Sequence, residues 1–331
     1  MNLFLVTSPF QLICAIEAKN HFKTKNNVLI IRHERHESTL NQIGLLLNKN
    51  DWSEIIFIGR KNKIYGMWKL IYDIKKINSN LHFDNVFYAD YSAWRTAVLL
   101  NNITVEREVM FDDGVGTLRE YVGKIKPELE VSRNKPTRDL LLKLMGVRPP
   151  RLIYPRNKFS FFTFFNLEDC NFHVELNNFN VLKKKLNSTE CFKIEAKAAF
   201  IGQGMVAEKG VKLEKYCKLL SSIIALHPQG IIYFPHRTET NIVKDAISSI
   251  PKLEYHQSSL PLELEIGEKQ LKLCAIYSIT STAVVTIGKI YPDIPVWDVD
   301  VPIEHYVIKE FGENFQQVSK TLNLKKINII I

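Results

Sequence analysis

The chain has 331 residues, and its 44 Lys+Arg exceed its 35 Asp+Glu, which gives a formal net charge of +9. Because a typical domain has about 150 residues, this length predicts two domains, and an apolar content of 46% excludes a wholly disordered chain. No apolar run approaches the roughly 18–20 residues that a membrane span needs, and no signal-peptide pattern opens the sequence, so we expect a cytoplasmic protein.

Short apolar runs alternate with stretches of helical spacing in two successive series. The first series predicts strands at residues 3–6, 28–31, 55–58, 86–88 and 109–111, with helices such as 11–21 and 39–47 between them. The second predicts strands at residues 198–201, 231–234, 274–277, 284–287 and 296–299, with helices at 213–226 and 240–250. Strands that alternate with helices indicate α/β layers built on parallel sheets.

Two such series predict two Rossmann-like domains that face an interdomain cleft, which is the GT-B layout of many glycosyltransferases. We place the N-terminal domain at residues 1–190 and the C-terminal domain at residues 191–331. Open parallel sheets bind their ligands outside the carboxyl ends of the strands, so the residues after each strand are the candidates for a site.

A basic and aromatic linker region, residues 133–190, closes the first domain. Its basic residues include Arg133, Lys135, Arg138, Lys143, Arg148, Arg151, Arg156 and Lys158, and a phenylalanine-rich tract occupies residues 159–165. The aromatic residues predict core or a hinge; the alternatives are a surface that dips into the inner membrane or forms a homodimer. The basic residues predict a patch for acidic lipid headgroups or a polyanionic glycan, with a solvated surface as the alternative.

Neither the cysteines nor the histidines form a convincing metal motif. The segment His33-Glu34-Arg35-His36-Glu37 lacks the H-E-x-x-H spacing, so we expect an exposed loop and no metal there. The cysteines include no C-x-x-C pair and predict buried apolar side chains rather than disulfides. They are Cys14, Cys170, Cys191, Cys217 and Cys274.

Two strand ends of the first domain carry polar groups suited to a site. Ser8 and Gln11 follow the first strand, where hydroxyls and helix-start N–H groups could bind a substrate oxygen; a plain helix cap is the alternative. Asp112, Asp113 and Gly114 follow the fifth strand. Neighbouring carboxylates raise the pKa of at least one of them, which suits a general base, while glycine permits close approach of a ligand. An aspartate that caps the next helix is the alternative.

Two strand ends of the second domain point to a nucleotide. Gly202 and Gln203 follow the strand at 198–201 and could line a bound nucleotide, although the G-x-G-x-x-G fingerprint is absent. Pro235, His236 and Arg237 follow the strand at 231–234. Imidazole beside a guanidinium suits a departing phosphate oxygen, although a lone histidine is more often structural.

A third strand end carries four hydroxyl residues, Ser278, Thr280, Ser281 and Thr282. Their O–H groups, together with the N–H groups of a following helix, predict a phosphate cradle. A Ser/Thr helix cap is the alternative interpretation.

The ordered set Asp112-Asp113-Gly114, Pro235-His236 and Ser281-Thr282 resembles the bacterial sialyltransferases. Those families share an acidic D/E-D/E-G motif, a His-Pro motif and a Ser/Thr motif in that order. Residues 3–11, residues 233–236 and Leu260-Pro261-Leu262-Glu263 look most like glycosyltransferase family fifty-two, the lipooligosaccharide sialyltransferases.

The resemblance implies an inverting transfer of sialic acid from CMP-sialic acid to a galactose-type hydroxyl of a surface glycan, without a metal, a cofactor or a nucleic-acid partner. The N-terminal domain would take the acceptor and the C-terminal domain the CMP moiety. The implied site residues are the base, Asp112 or Asp113, the phosphate ligands His236, Ser281 and Thr282, and the ribose ligand Glu263.

Some residues depart from that pattern. Arg237 stands where the His-Pro motif has proline, and a literal His227-Pro228 precedes its strand instead of following it. Glu208 and Glu214, nearer His236 in sequence, are reserve candidates for the base. The alternatives are another GT-B enzyme, such as a UDP- or GDP-sugar transferase or an epimerase, and a non-enzymatic binder of polyanions or membrane surfaces.

Overall fold

A computed structural model describes residues 1–32, 37–59, 61–155, 158–167, 169–236, 238–322 and 325–329. The chain divides into two compact units, Met1–Val181 and Leu182–Ile331, before the boundary predicted after residue 190. Each unit has its own parallel sheet with helices between successive strands. The two Rossmann-like α/β domains of a GT-B-like fold are therefore confirmed.

The first unit contains a seven-stranded sheet in the order β3-β2-β1-β4-β5-β6-β7. Its strands are β1 (Asn2–Val6), β2 (Asn27–Arg32), β3 (Glu54–Ile58), β4 (His82–Tyr88), β5 (Thr104–Phe111), β6 (Phe159–Thr163) and β7 (His173–Leu176). Its helices are α1 (Pro9–His21), α2 (Glu37–Leu46), α3 (Lys63–Ile77), α4 (Trp94–Asn102), α5 (Val115–Glu120) and α6 (Pro136–Leu144), and α7 (Asn180–Leu186) begins at its end. A π-helical turn, Tyr121–Ile125, follows α5, and a 3-10 turn spans Lys49–Asp51.

The second unit contains a six-stranded sheet in the order β10-β9-β8-β11-β12-β13. Its strands are β8 (Ala198–Ile201), β9 (Ile231–Phe234), β10 (Leu253–Tyr255), β11 (Ile276–Ser278), β12 (Val296–Asp300) and β13 (Lys326–Asn328). Its helices are α8 (Leu213–Leu226), α9 (Asn241–Ser248), α10 (Leu262–Glu268), α11 (Thr282–Ile290) and α12 (Lys309–Leu322), with 3-10 turns at Ser188–Cys191 and Ile303–His305. The reversal of strand order beside β8 makes the ends of β8 and β11 the natural ligand position of this sheet.

The central strands consist of uninterrupted apolar runs because helices cover both faces of a parallel sheet. Every residue of β1, β8 and β9 is buried. The phenylalanine-rich tract belongs to the same core: β6 is wholly buried and pairs in parallel with β5. Of the alternatives for this tract, the core interpretation is therefore the one that the structure supports.

One predicted strand, residues 284–287, is wrong. These residues lie inside α11, where Val284 and Ile287 are buried one helical turn apart. Ser281 starts the helix because its side chain accepts the Ala283 N–H at 3.3 Å. A run of β-branched residues resembles a strand in sequence, but this cap and the burial of one helix face decide the conformation. The strand predicted at 274–277 begins two residues later, at Ile276.

Within the described ranges, no helix has the length and apolar character required to cross a bilayer. The five cysteines, all in described positions, form no disulfide. The same part of the chain contains no group of three or more His, Cys, Asp or Glu side chains suited to a metal ion. Most of the segment from His33 to Glu37 lies outside the described residues.

Candidate functional site

Asp112 directly follows β5 in a fully buried position, with 0% of the residue exposed. Its Oδ1 accepts the hydroxyl of Thr163 at 2.6 Å, and its Oδ2 accepts the backbone N–H of Phe164 at 2.8 Å. Burial raises the pKa of Asp112 to about 7, although the hydrogen bonds from Thr163, Phe164 and Thr117 favour the ionised form. The carboxyl group of Asp112 therefore links the ends of β5 and β6 and is not accessible to solvent.

Asp113, the next residue, is exposed. Its Oδ1 accepts the side-chain amide of Gln11 at 2.7 Å, and its backbone N–H donates to Thr117 Oγ1 at 2.7 Å. The other end of the Gln11 side chain accepts the N–H of Thr7 at 2.8 Å. Gln11 is 1% exposed, so it is a fixed support for the carboxylate of Asp113.

The turns that precede α1 and α5 hold these side chains in place. Ser8 is the N-cap of α1, where its hydroxyl accepts the Gln11 N–H at 3.2 Å. Gly114 is the N-cap of α5 and has φ +59° and ψ −136°, a conformation that side chains disfavour. The sequence therefore brings Ser8, Gln11, Asp113 and Gly114 to one edge of the first sheet, where β1 and β5 both end.

A cavity of about 490 Å³ opens at the same edge of the first sheet, next to the segment that follows β4. Trp94 lines it, and the guanidinium of Arg138 lies 6.0 Å from the centre of the Trp94 ring. The other lining residues are Lys63, Asp90, Ser92, Ala93, Glu120, Arg133 and Lys135. Four cations against two carboxylates make this cavity basic.

In the second unit, the turn after β8 packs closely against its neighbours. A Cβ at Gly202 would lie 2.5 Å from the Tyr233 hydroxyl, and one at Gly204 would lie 2.9 Å from the His236 ring. The side-chain amide of Gln203 donates to the carbonyl of Ile279 and, at 3.3 Å, to that of Thr280. The glycines and Gln203 thus bring the ends of β8, β9 and β11 together.

His236 follows Pro235 at the end of β9 and is half-buried. Its Nδ1 accepts the backbone N–H of Thr238 at 3.2 Å and lies 2.8 Å from Thr238 Oγ1. A backbone N–H can only donate, so Nδ1 carries the lone pair and the proton of the neutral ring is on Nε2. The neutral ring therefore presents its N–H donor at Nε2.

The hydroxyl residues near β11 occupy three different environments. Ser278 is 0% exposed and its hydroxyl donates to the Ile201 carbonyl at 3.1 Å, so it stabilises the sheet. Thr280 has φ +40°, and its N–H donates to Asp298 Oδ1 at 2.5 Å. Ser281 caps α11 and Thr282 is the first helical residue, so these two lie at the N-terminus of the helix.

The predicted acidic residues of this unit have different surroundings. Glu263 is 8% exposed, accepts the Thr286 hydroxyl at 2.9 Å, and has a pKa raised by burial. Glu208 is exposed, and exposed Glu214 pairs with Lys218 at 2.7 Å.

His227 lies before β9, with its Nε2 3.0 Å from the Tyr277 hydroxyl. Arg237 lies outside the described residues.

Sequence reasoning missed several residues that hold these sites. Thr117 and Thr163 support the two aspartates, Thr238 fixes His236, and Asp298 holds the backbone of Thr280. Each is an ordinary hydroxyl or acid close to a strand end. Only their position at the same edge of a sheet as the motif residues could have identified them.

Several solved structures are similar to this chain over nearly its whole length. A structure titled S. aureus MnaA-UDP co-structure is 10% identical, with a TM-score of 0.51 over 97% of this chain and 87% of that one. An alpha/beta-galactoside alpha-2,3-sialyltransferase from Photobacterium phosphoreum is 12% identical, with a TM-score of 0.48 over 98% and 97%. A UDP-GlcNAc 2-epimerase from Neisseria meningitidis is 13% identical, with a TM-score of 0.48 over 98% and 95%. These similarities concern the fold alone.

A search of the curated proteins found no match. The family model of the alpha-2,8-polysialyltransferases (POLYST) matches residues 2–299, which include both units' candidate residues. This match confirms the predicted relationship to sialyltransferases. It does not support the narrower prediction of the lipooligosaccharide sialyltransferase family. The protein belongs to the alpha-2,8-polysialyltransferase family.

Proposed function

We propose that the protein is an inverting, metal-independent sialyltransferase that moves sialic acid from CMP-sialic acid to a hydroxyl of a bacterial surface glycan. The second unit takes the nucleotide and the first unit takes the acceptor. Sialic acid leaves as an oxocarbenium-like cation that its own carboxylate neutralises. The protein must therefore mainly stabilise the departing phosphate and deprotonate the acceptor.

The observation that carries the donor site is that the turn after β8 contacts the ends of both β9 and β11, beside His236. Gly204 lies against the imidazole, and Gln203 holds the segment that leads to Ser281. The Nε2–H of His236 donates to a phosphate oxygen, and the N–H groups at the start of α11 offer further donors. Neutral donors of this kind stabilise the leaving phosphate without a divalent ion.

Asp113 is the general base of this proposal. It is the exposed member of the acidic pair, and Gln11 fixes its carboxylate at 2.7 Å. Asp112 is buried and positions the chain through Thr163 and Phe164. Glu208 and Glu214 belong to the second unit and remain reserve candidates.

Two acceptors fit the first unit. The motif resemblance implies a terminal galactose, whereas the family description implies a sialylated glycan. The basic acceptor-side cavity, with Arg133, Lys135 and Arg138, favours the sialylated acceptor, because its carboxylate would pair with these cations. Trp94 offers an aromatic face on which a sugar ring can stack.

The test is release of CMP from CMP-sialic acid with a lactose-type acceptor, with a sialyl-terminated acceptor, and with neither, each with and without EDTA. We expect acceptor-dependent CMP release that EDTA leaves unchanged, and faster release with the sialylated acceptor. Loss of all activity in EDTA would contradict metal independence. Equal inactivity with both acceptors and with water would contradict the transferase.

A GT-B enzyme that uses another nucleotide, such as a sugar-nucleotide epimerase, is the second candidate, because the fold resembles a structure titled as a UDP complex. The two differ in nucleotide preference, which thermal stabilisation by CMP, UDP and GDP measures directly. Stabilisation by UDP but not CMP would favour the epimerase. Binding of polyanions without any nucleotide response would favour the non-enzymatic binder.

A further inference from the structure

Helix α6 exposes an apolar face. Leu140, Leu141 and Leu144 are 59%, 46% and 75% exposed, and Leu142 is the buried residue of this helix. Positions 140, 141 and 144 share one face of a helix because they are one, three and four residues apart. A helix at a protein surface normally points its polar face towards water. The exposed leucines of α6 are the reverse of that arrangement.

Aromatic side chains lie on the neighbouring helix. Helix α3 packs beside α6, and its Tyr65 and Tyr72 are each 50% exposed. Trp68 lies between them along the helix and stacks on Tyr72 with ring centres 5.8 Å apart. Tyrosine and tryptophan are enriched where proteins meet the boundary between lipid and water.

The charge around α6 is strongly positive. Between residues 133 and 148 the chain has the basic residues Arg133, Lys135, Arg138, Lys143 and Arg148 and the single acid Asp139. Lys143 lies between the leucines and is exposed, as is Arg148 just beyond the helix. An apolar stripe with a basic border is typical of helices that lie in the interface of an anionic bilayer.

We propose that the α6 face, defined by Leu140, Leu141, Lys143 and Leu144, docks onto an anionic lipid bilayer. The leucines enter the headgroup boundary, the exposed Lys143 and Arg148 meet lipid phosphates, and the chain lies on the bilayer without crossing it. A second copy of the chain is the less suitable occupant, because a twofold contact would place two strongly positive segments against each other. This inference does not depend on the proposed reaction.

The test is flotation of the full chain with vesicles of phosphatidylglycerol and phosphatidylethanolamine, compared with vesicles of phosphatidylcholine. We expect binding to the anionic vesicles that falls steeply with salt, and weak binding to the neutral ones. The triple variant L140Q/L141Q/L144Q should bind about 100-fold more weakly, since it loses three inserted side chains. K143E should weaken binding several-fold.

The matched control is I194Q/L226Q/I242Q, which changes three residues of similar exposure, at 74%, 56% and 72%, in the second unit. It should bind vesicles like the parent chain. Thermal stabilisation by CMP and turnover of a soluble acceptor should be unchanged in L140Q/L141Q/L144Q, so loss of binding is separable from misfolding and from failure of the proposed reaction. Unchanged vesicle binding by this variant would overturn the proposal. A dimer of the parent chain that the variant disrupts, without vesicle binding, would also overturn it and assign the face to self-association.

Discussion

Two adjacent aspartates differ in almost every physical respect at the residue scale. Asp112 is enclosed by Thr163 and Phe164, whereas Asp113 is exposed and held by Gln11. The sequence predicts the acidic pair and its place after a strand, but it does not reveal which member is buried. That difference depends on β6, because its last residues supply the hydrogen bonds to Asp112.

Replacement of Asp112 by Asn should flatten the dependence of stability on pH. Burial raises the pKa of Asp112 to about 7 from the usual value of about 4. Its contribution to folding is therefore largest at low pH and is lost as pH rises towards 7. The asparagine keeps the size and the contact with the Phe164 N–H without this ionisation.

Urea unfolding of both chains between pH 5 and 8 measures this effect. Relative to the parent, D112N should gain stability as pH rises, by up to a few kcal/mol on the scale of about 1.4 kcal/mol per pKa unit. Parallel stability curves for the two chains would contradict a buried, proton-binding Asp112.

Asp113→Asn should lower transfer by about 10²–10⁴-fold, the usual contribution of a general base. CMP binding should be unchanged, because the substituted residue belongs to the first unit. E208Q and E214Q are the matched controls, since each removes one exposed carboxylate from the second unit. If either control loses activity while D113N retains it, the base is in the second unit.

His236→Ala should reduce transfer by about 100-fold or more, because the leaving phosphate loses its imidazole donor. His227→Ala is the control, since His227 belongs to the literal His-Pro pair but contacts Tyr277 before β9. Initial rates with saturating CMP-sialic acid compare the two variants. Near-normal turnover in H236A would remove this histidine from the site.

At the element scale, the turns between strands and helices determine the geometry of the proposed donor site. A Cβ at Gly204 would lie 2.9 Å from the His236 ring, so Gly204→Ala should displace the imidazole. We expect weaker CMP binding and a lower melting temperature. Gly44→Ala, at an open helical position with nothing within 4 Å, is the control and should raise stability by about 0.5–1 kcal/mol.

The predicted elements succeed where periodicity is long or apolar runs are isolated. The strands β1, β2, β8 and β9 and the helices α1 and α8 are confirmed within a residue or two. The prediction of a strand at 284–287 is wrong because it was based on the β-branched residue types and did not take account of the helix cap at Ser281. The β6 tract was recognisable as aromatic, but its sheet partner β5 is more than forty residues away, which no local pattern reports.

The whole molecule consists of two units, each with its own sheet and core. Because a ligand stabilises only the part that binds it, CMP should raise the unfolding temperature of the second unit and leave that of the first. Calorimetry with and without CMP, alongside H236A, tests this expectation. A shift confined to the first unit would reverse the assignment of donor and acceptor.

The contact between Thr238 and His236 has a consequence for how the imidazole is prepared. The group that donates to Nδ1 is a main-chain amide, which every amino acid except proline supplies at that position. This backbone hydrogen bond orients the ring before a nucleotide binds. A substitution at residue 238 by any residue other than proline would keep the bond. The residue type at position 238 therefore does not reveal this contact, on which the proposed role of His236 depends.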